Sequence, residues 1–483
     1  MTQIPTTTLA PDLKISKILT GLWQIADMER DGNTLDPDTT AAHMQPYLDA
    51  GLTTFDMADH YGSSEIITGR FRKNGAGDRV QLLTKWVPEL GKSSRAEVKT
   101  AVQRALDRMQ MDRLDLLQYH AWNYADARWL DDMFWLRELQ EEGLIRHLGV
   151  TNFDAAHLNM ILESGIKVIS NQISYSLIDQ RGNDAMTEVC KLHGVKILAF
   201  GTLAGGLLSE RWLGRPDRTA DKMDTWSQMK YRRFIEQAGG WGRFQGLLQT
   251  LDELAKAKGV SIANLACRYI IEQEVVGGII VGARLGESNR IADNQRLFSF
   301  ELTDADQEII RTALGTLNRI PGNCGDEYRK PPFLTASGDL SHHLEDFPSP
   351  FPVTKTGPNR SKALSGTIWE DLAGFSRAVR VGDRILVSGT TATHGDRIIG
   401  GNDPAAQTTF IIDKIEGAIQ SLGGTLDDVV RTRIYVRNME DWEAVSRVHG
   451  ARFAVIQPAN TLVRADLVGA GYLVEIEGEA VVR

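Results

Sequence analysis

The feature that most constrains this chain is an alternation, sustained from residue 15 to about 320, of short apolar runs with longer amphipathic stretches. The runs are Leu19–Trp23, Thr53–Met57, Gln81–Lys85, Asp115–His120, Ile145–Val150, Val168–Ile173, Val195–Phe200 and Val276–Val281. They are rich in Val, Ile, Leu and Phe and nearly continuous in apolarity, the pattern of strands buried on both faces. Helical patterns such as Ser94–Met109 and Trp135–Glu142 lie between them. Eight β-then-α units in roughly 300 residues predict an α/β fold, the closed (β/α)8 TIM barrel. An open doubly wound sheet is the rival, but it carries a Gly-rich turn after its first strand, and Gly21-Leu22-Trp23-Gln24 is not one.

At 483 residues the chain is too long for one ordinary domain. Seven of its 15 prolines fall between Pro321 and Pro358, so 321–365 reads as an ordered or semi-extended linker; its first half reads equally well as a tail capping the barrel. From Ile368 the pattern changes. Phe375–Val381 and Arg384–Gly389 alternate around Gly382-Asp383 as a β-hairpin, and Ala405–Leu422 carries Phe410, Ile415, Ala418, Ile419 and Leu422 on one helical face. A strand at Val429–Arg437, a helix at Asp441–Phe453 and strands near Thr461–Leu467 and Tyr472–Val482 complete a small α+β domain. The expected organisation is a barrel over 1–320, a linker over 321–365 and a second domain over 366–483.

The formal charge of −9 argues against a nucleic-acid partner or an anionic membrane surface. Cys190, Cys267 and Cys324 are too few and too scattered for a disulfide framework or a metal cluster, so no metal is expected. The N-terminal stretch MTQIPTTTLAPDLKIS is not a signal peptide, and no apolar run could span a bilayer. These readings together lead us to expect a soluble, cytoplasmic protein.

Working residues of a β/α barrel sit where strands end and loops begin. Asp56 ends the second expected strand, with Tyr61 five residues on; Lys85 ends the third and His120 the fourth. Reducing a carbonyl needs hydride at carbon and a proton for the developing alkoxide. A tyrosine, with an ordinary pKa near 10, gives that proton when an adjacent ammonium favours its phenolate; a carboxylate holds the ammonium, and a neutral imidazole orients the carbonyl oxygen. Asp56, Tyr61, Lys85 and His120 supply one of each. Trp23, Trp86, Trp122 and Tyr124 lie beside these strand ends and form either an aromatic substrate cup or ordinary packing. The charged stretch 209–245 reads as a lid or as solvated helix.

The segments FDMADHYGSSE, LLTKW and DLLQYH, in that order, resemble the aldo-keto reductase superfamily. The resemblance covers roughly 15–320 and extends to GLIRHLGVTNF and NQISYSL. By analogy, Thr151, Asn152 and Gln172 of those stretches hold a nicotinamide carboxamide. LAFGTLAGGLL resembles the loop under the cofactor pyrophosphate, which implies Gly201 and Leu203 there and Phe200 stacked on the nicotinamide where the family often has Tyr. VGARLGESNRIADN resembles the adenosine 2′-phosphate site; the spacing of Arg284, Arg290 and Asn294 implies NADPH rather than NADH. The implied activity is NADPH-dependent interconversion of an aldehyde or ketone and an alcohol. The competing reading is a nicotinamide-binding redox sensor or accessory subunit.

In the second domain, VGDRILVSGTTA, the block from Ala406 to Val436 and PANTLVRADLVGAGYLVEIEGEAVV resemble the RidA (YjgF) family, with its chorismate-mutase-like fold. That family implies trimers with small-carboxylate clefts between subunits and, in some members, hydrolysis of imines and enamines. Its key arginine follows Pro-Ala; here Pro458-Ala459 is followed by Asn460, so no guanidinium clamps a carboxylate at that point. Arg464 lies four residues on, about 13 Å along a strand. Glu475 matches the family's glutamate. The expectation is a homo-oligomer, a trimer through this domain, or a small-ligand site; a bifunctional reductase and imine hydrolase is the alternative.

Overall fold

The computed structural model describes residues 3–25, 35–91, 93–288, 290–330, 334 and 347–483. Contacts divide the chain into two compact units: Met1–Trp122 with Trp135–Ala155 and Val168–Asp346, and Asn123–Phe134 with Ala156–Lys167 and Phe347–Arg483.

The first unit opens with an antiparallel hairpin, β1 (Thr6–Ala10) and β2 (Leu13–Ser16). Eight parallel strands follow: β3 (Ile18–Gly21), β4 (Thr54–Asp56), β5 (Gln81–Trp86), β6 (Leu114–His120), β7 (Ile145–Thr151), β8 (Ser170–Ser174), β9 (Lys196–Phe200) and β10 (Val276–Gly282). They pair in chain order, and β10 closes on β3 to complete the barrel. All eight expected strands form, with ends shifted by a few residues at most.

Sequence reasoning began the barrel at residue 15 and missed the hairpin. Leu9, Ala10, Leu13 and Ile15 of the hairpin are buried with Leu19, Leu83, Leu116 and Leu198 from β3, β5, β6 and β9, so the hairpin plugs one end of the barrel. Each such leucine contributes about 1.5–3 kcal/mol on burial. The overlooked signal is Pro11-Asp12, a turn pair between two short alternating runs.

Around the barrel, helix Arg95–Met109 shows how local sequence fixes an element. Ser94 caps it by accepting from the Glu97 amide at 3.2 Å, and Val98, Val102, Leu106 and Met109 turn one face inward. Gly69, on helix Ser64–Phe71, meets it so closely that a Cβ there would lie 2.4 Å from the Arg108 carbonyl oxygen.

The second unit carries a seven-stranded sheet. Its strands are β11 (Val353–Gly357), β12 (Arg360–Ala363), β13 (Ala378–Val381), β14 (Arg384–Thr391), β17 (Val429–Val436), β18 (Ala459–Arg464) and β19 (Val474–Val481); the small pair β15 (Thr393–His394) and β16 (Arg397–Ile398) stands apart. The order across the sheet is β11-β12-β13-β14-β19-β17-β18. Along β19, Val474, Ile476, Gly478 and Ala480 are buried while the residues between them are half-exposed, so one face packs inward. Helix Pro404–Ser421 buries Phe410, Ile415, Ala418 and Ile419.

The proline-rich stretch is not wholly linker. Its start forms a short helix, Asp326–Arg329, in the first unit, and β11 and β12 fall inside its second half. Its middle, 331–333 and 335–346, lies outside the described residues. Among the described residues, no helix is long and apolar enough to cross a membrane.

Candidate active site

Strand ends bring the four expected polar residues together. Asp56 ends β4, Lys85 is the penultimate residue of β5 and His120 ends β6; all three are buried. Lys85 Nζ donates to Asp56 Oδ2 at 2.7 Å and to the Met57 carbonyl at 2.7 Å. The same ammonium stands 5.0 Å from the centre of the Tyr61 ring. Burial pushes the Lys85 ammonium below its ordinary range, and the Asp56 carboxylate opposes that shift.

Beneath this pair lies a polar layer that sequence reasoning missed in part. Gln172 on β8 donates from Nε2 to Asp56 Oδ1 at 2.7 Å and to Gln118 Oε1 at 3.1 Å, while Gln118 on β6 points its own amide nitrogen at Asp56 Oδ1 from 3.4 Å. Asp56, Gln118 and Gln172 come from alternate strands, as side chains sharing one layer of a closed barrel do. Gln118 had a signal, a polar residue in the apolar run LDLLQYH. Gln172, expected on resemblance at a carboxamide, has its donor nitrogen engaged by this layer.

The surroundings of His120 favour its neutral form. Burial lowers its pKa well below the ordinary value, and the Arg329 charge adds to that; the Thr151 backbone opposes it, yet neither ring nitrogen completes a hydrogen bond among the described residues. Trp122 packs edge-on against His120 at 4.3 Å and donates from Nε1 to the Pro88 carbonyl at 3.0 Å. Trp23 packs against Tyr61 at 5.0 Å. Trp86 is set apart, because successive strand residues alternate sides. It packs on Tyr119, its register partner on β6, one residue out of step with Gln118 and His120. The aromatic group around Tyr61 and His120 is therefore Trp23 and Trp122, not all three tryptophans.

Asn152, just after β7, adopts the left-handed conformation at φ 61° and donates its amide to the Gln172 carbonyl at 2.8 Å. Its Oδ1 is buried without a hydrogen-bond partner among the described residues, an acceptor suited to an amide N–H such as that of a nicotinamide carboxamide. Thr151 Oγ1 donates to the Gln172 carbonyl at 3.0 Å. Phe200 ends β9, half-buried, with Lys230 Nζ 5.0 Å from its ring centre. Gly201 has φ +71°, and a Cβ there would lie 1.9 Å from Tyr231 Oη, so Tyr231 packing accounts for the glycine. Leu203 is half-buried and its carbonyl accepts from the Gly206 amide at 2.8 Å. Arg284 and Arg290 are exposed on the loop after β10; Arg284 Nε reaches Gln24 Oε1 at 3.4 Å, and Asn294 is buried one turn beyond Arg290.

A second omission is the segment after residue 320. Tyr328 packs edge-on toward His120 at 5.8 Å, and Lys230 Nζ donates to Tyr328 Oη at 2.5 Å. Buried Arg329 donates to the carbonyls of Ala121 and Asn152. Neither reading of this stretch, as a linker or as a tail capping the barrel, gave these residues a place at the site.

In the second unit, Asn460 Nδ2 donates to Thr432 Oγ1 at 2.9 Å, and that hydroxyl also meets His449 Nε2 at 2.9 Å. Arg464, on the same edge strand, is exposed. Glu475 lies over Gly389, where a Cβ would sit 2.1 Å from Oε1; burial raises its carboxyl above the usual range against the pull of buried Arg377.

A closed (β/α)8 barrel with Asp56, Tyr61, Lys85 and His120 gathered at its strand ends is the architecture of an oxidoreductase. The sequence profile of the aldo/keto reductase family matches residues 17–314, and the chain belongs to that family, whose members use nicotinamide cofactors. The profile of the endoribonuclease L-PSP family, the RidA/YjgF type, matches 369–482. Aldo-keto reductase YhdN of Bacillus subtilis is 25% identical over 66% of this chain and 96% of its own length. The NADH-specific methylglyoxal reductase of Escherichia coli is 24% identical over 64% of this chain and 97% of its own. A glycerol dehydrogenase structure from Gluconobacter oxydans shares the barrel fold, with a TM-score of 0.54 and 22% identity over 66% of this chain and 97% of that one.

Proposed function

We propose that this protein is an NADPH-dependent reductase of small aldehydes or ketones, with Tyr61 as the general acid. The observation that carries the reading is the Lys85 ammonium, bonded to the Asp56 carboxylate at 2.7 Å and 5.0 Å from the centre of the Tyr61 ring. A bound nicotinamide supplies hydride to the carbonyl carbon, and the chain's own residues do the rest. Asn152 and Thr151 hold the carboxamide, with Gln172 bracing Asp56 beside them. Phe200 offers a ring face, Gly201 and Leu203 shape the loop beneath the pyrophosphate, and Arg284, Arg290 and Asn294 take the 2′-phosphate. A neutral His120 donates a hydrogen bond to the carbonyl oxygen and orients it. Tyr61 gives its proton to the developing alkoxide, and Lys85 stabilises the phenolate left behind. Trp23 and Trp122 wall the substrate.

The preference for NADPH rests on two exposed arginines beside a buried asparagine, a set suited to binding two phosphate oxygens at once. A relative named for NADH makes the direct comparison of both cofactors necessary.

For the RidA-type domain we propose assembly into a homo-oligomer, a trimer, or small-ligand binding rather than imine hydrolysis. The observation in favour is that Asn460 is tied to Thr432 and stands where the resembled family has its arginine. Leu386, Val430 and Val463, exposed on three strands, offer apolar area for assembly. Mass by light scattering tests that part.

The test of the reductase is cofactor oxidation at 340 nm against a panel of aldehydes, ketones and sugars, with NADPH and NADH, and with Tyr61→Phe in parallel. Turnover lost in the variant while cofactor still binds supports the reading. Turnover unchanged by the variant removes Tyr61 as the acid, and tight cofactor binding with no turnover on any carbonyl favours a sensor.

A further inference from the structure

The segment Asn323–Lys330, beyond the stretch matched by the reductase profile, reaches into the site from outside the barrel repeat. Three observations show that its path is tightly specified. Gly325 has φ +83°, and a Cβ there would lie 2.0 Å from the Asn152 carbonyl oxygen and 2.3 Å from Arg329 Nη2. The buried side chain of Glu327 pairs with Arg181 at 2.9 Å, and Arg181 also pairs with Asp179 at 2.7 Å, also with little exposure. Arg329 is buried, with Nη1 donating to the Ala121 carbonyl at 3.0 Å and Nη2 to the Cys324 carbonyl at 3.3 Å and to that of Asn152.

Ala121 follows His120, and Asn152 carries the buried acceptor described above. One guanidinium therefore spans the ends of β6 and β7, the two strands that deliver the carbonyl orienter and the expected carboxamide holder. A planar, permanently charged fork can bond two carbonyls at fixed spacing in a way a lysine ammonium cannot.

We propose that Arg329 is a positioning residue of the carbonyl-reducing site, tying the β6 end to the β7 end and keeping a positive charge beside His120. This rests on the proposed roles of His120 and Asn152. The fork sets the Asn152 backbone, and with it the amide side chain that meets the cofactor. The charge disfavours an imidazolium at His120, so the ring stays a neutral donor. Besides Trp122, the described groups acting on His120 include His60, whose charge acts in the same direction, the Thr151 backbone, which opposes it, and Tyr328, which carries the Lys230 ammonium on its hydroxyl.

Two variants separate the fork from the charge. Arg329→Lys keeps a cation and loses the fork; Arg329→Met loses both. The readouts are the His120 ring signals of histidine-labelled protein across pH 5–8 without substrate, and NADPH affinity by fluorescence titration. In the native protein His120 stays neutral throughout. In Arg329→Met its pKa rises, so the ring signals move further at the acid end than in the native protein, and the cofactor dissociation constant rises about tenfold, the size of one lost hydrogen bond. In Arg329→Lys His120 stays neutral while the affinity still falls. Should Arg329→Met not fold, Arg329→Lys decides alone: affinity within twofold of native overturns the proposal. A His120 ring equally silent in Arg329→Met also overturns the charge role, even if both variants melt early. Neither readout needs turnover, so failure of the reductase reading is seen separately in the carbonyl panel.

Discussion

Lys85 Nζ lies 2.7 Å from Asp56 Oδ2, and the two side chains keep only 5% and 4% of their surface exposed. Removing one partner of a buried pair leaves a charge without its counterion, at a cost of about 3–5 kcal/mol. The two ends of this pair differ. Without Lys85, Asp56 still accepts from Gln172 and lies near Gln118; without Asp56, Lys85 keeps the Met57 carbonyl. Asp56→Ala is therefore expected to lower the denaturant midpoint more than Lys85→Met, and the double variant to be more stable than the sum of the two losses. Both single variants are expected to lose roughly 10²–10⁴ in kcat. Equal destabilisation with additive losses would show that the pair is not coupled.

Gly201 makes a sharper packing prediction. Its φ of +71° and the 1.9 Å approach of an added Cβ to Tyr231 Oη are separate penalties. Gly201→Ala should lose the sum of a clash, about 1–3 kcal/mol, and a left-handed alanine, about 1 kcal/mol. Tyr231→Phe removes the nearest colliding atom but leaves ring carbon Cζ 2.6 Å from the added Cβ, so in that background the same substitution should cost less, yet still more than the backbone share. Thermal melts of the four proteins check this; an undiminished cost would place the strain elsewhere.

Much of this site was legible because its chemistry sits on a repeating scaffold. The eight strands are buried along most of their length and so nearly unbroken in apolarity, and a polar residue ending such a run is conspicuous, as Asp56, Lys85 and His120 are. What escaped notice did so for physical reasons. Gln118 lies inside the run rather than at its end. Trp86 is adjacent in sequence to Lys85 but turns to the other side of the strand. Tyr328 and Arg329 belong to no strand, and their proline-rich surroundings read as a linker or a capping tail; only the tertiary contact with Ala121 and Asn152 gives them meaning. The hairpin over Thr6–Ser16 was too short to stand out from a polar N-terminus.

His120 links the site to stability. Its native imidazole is held well below the ordinary range, by burial first and the Arg329 charge second. In the unfolded chain it takes up a proton near pH 6.5. Below that pH the unfolded chain binds a proton that the native one does not, so stability is intact above 6.5 and lost as pH falls below it. His449, lowered by burial, acts in the same sense. The urea midpoint should fall between pH 7.5 and 5.5, and fall less in His120→Gln. An unchanged slope in that variant would remove His120 as a source of the acid sensitivity.

The exposed guanidinium of Arg284 gives a cofactor test. If it bonds a 2′-phosphate, Arg284→Ala loses one charge-assisted contact, about 1.5–3 kcal/mol, or roughly 10- to 100-fold in NADPH affinity, and leaves NADH binding unchanged. Fluorescence titration with both cofactors reads this directly. An equal loss for both would mean that Arg284 acts on the loop, not on the phosphate.

Asn460 gives a test of the role proposed for the RidA-type domain. On edge strand β18 its side chain is tied to Thr432 at 2.9 Å, while Glu475, whose carboxyl burial raises, lies on β19. Asn460→Arg gives up one neutral hydrogen bond, about 0.5–1.5 kcal/mol, on an exposed strand, so the fold should persist. It also puts a carboxylate-binding fork where the resembled family has one. The expected result is that the native chain hydrolyses a simple 2-imino acid no faster than water does, while Asn460→Arg releases the keto acid measurably faster. A native chain already well above the spontaneous rate would mean that the clamp comes from elsewhere, with exposed Arg464 the first residue to replace.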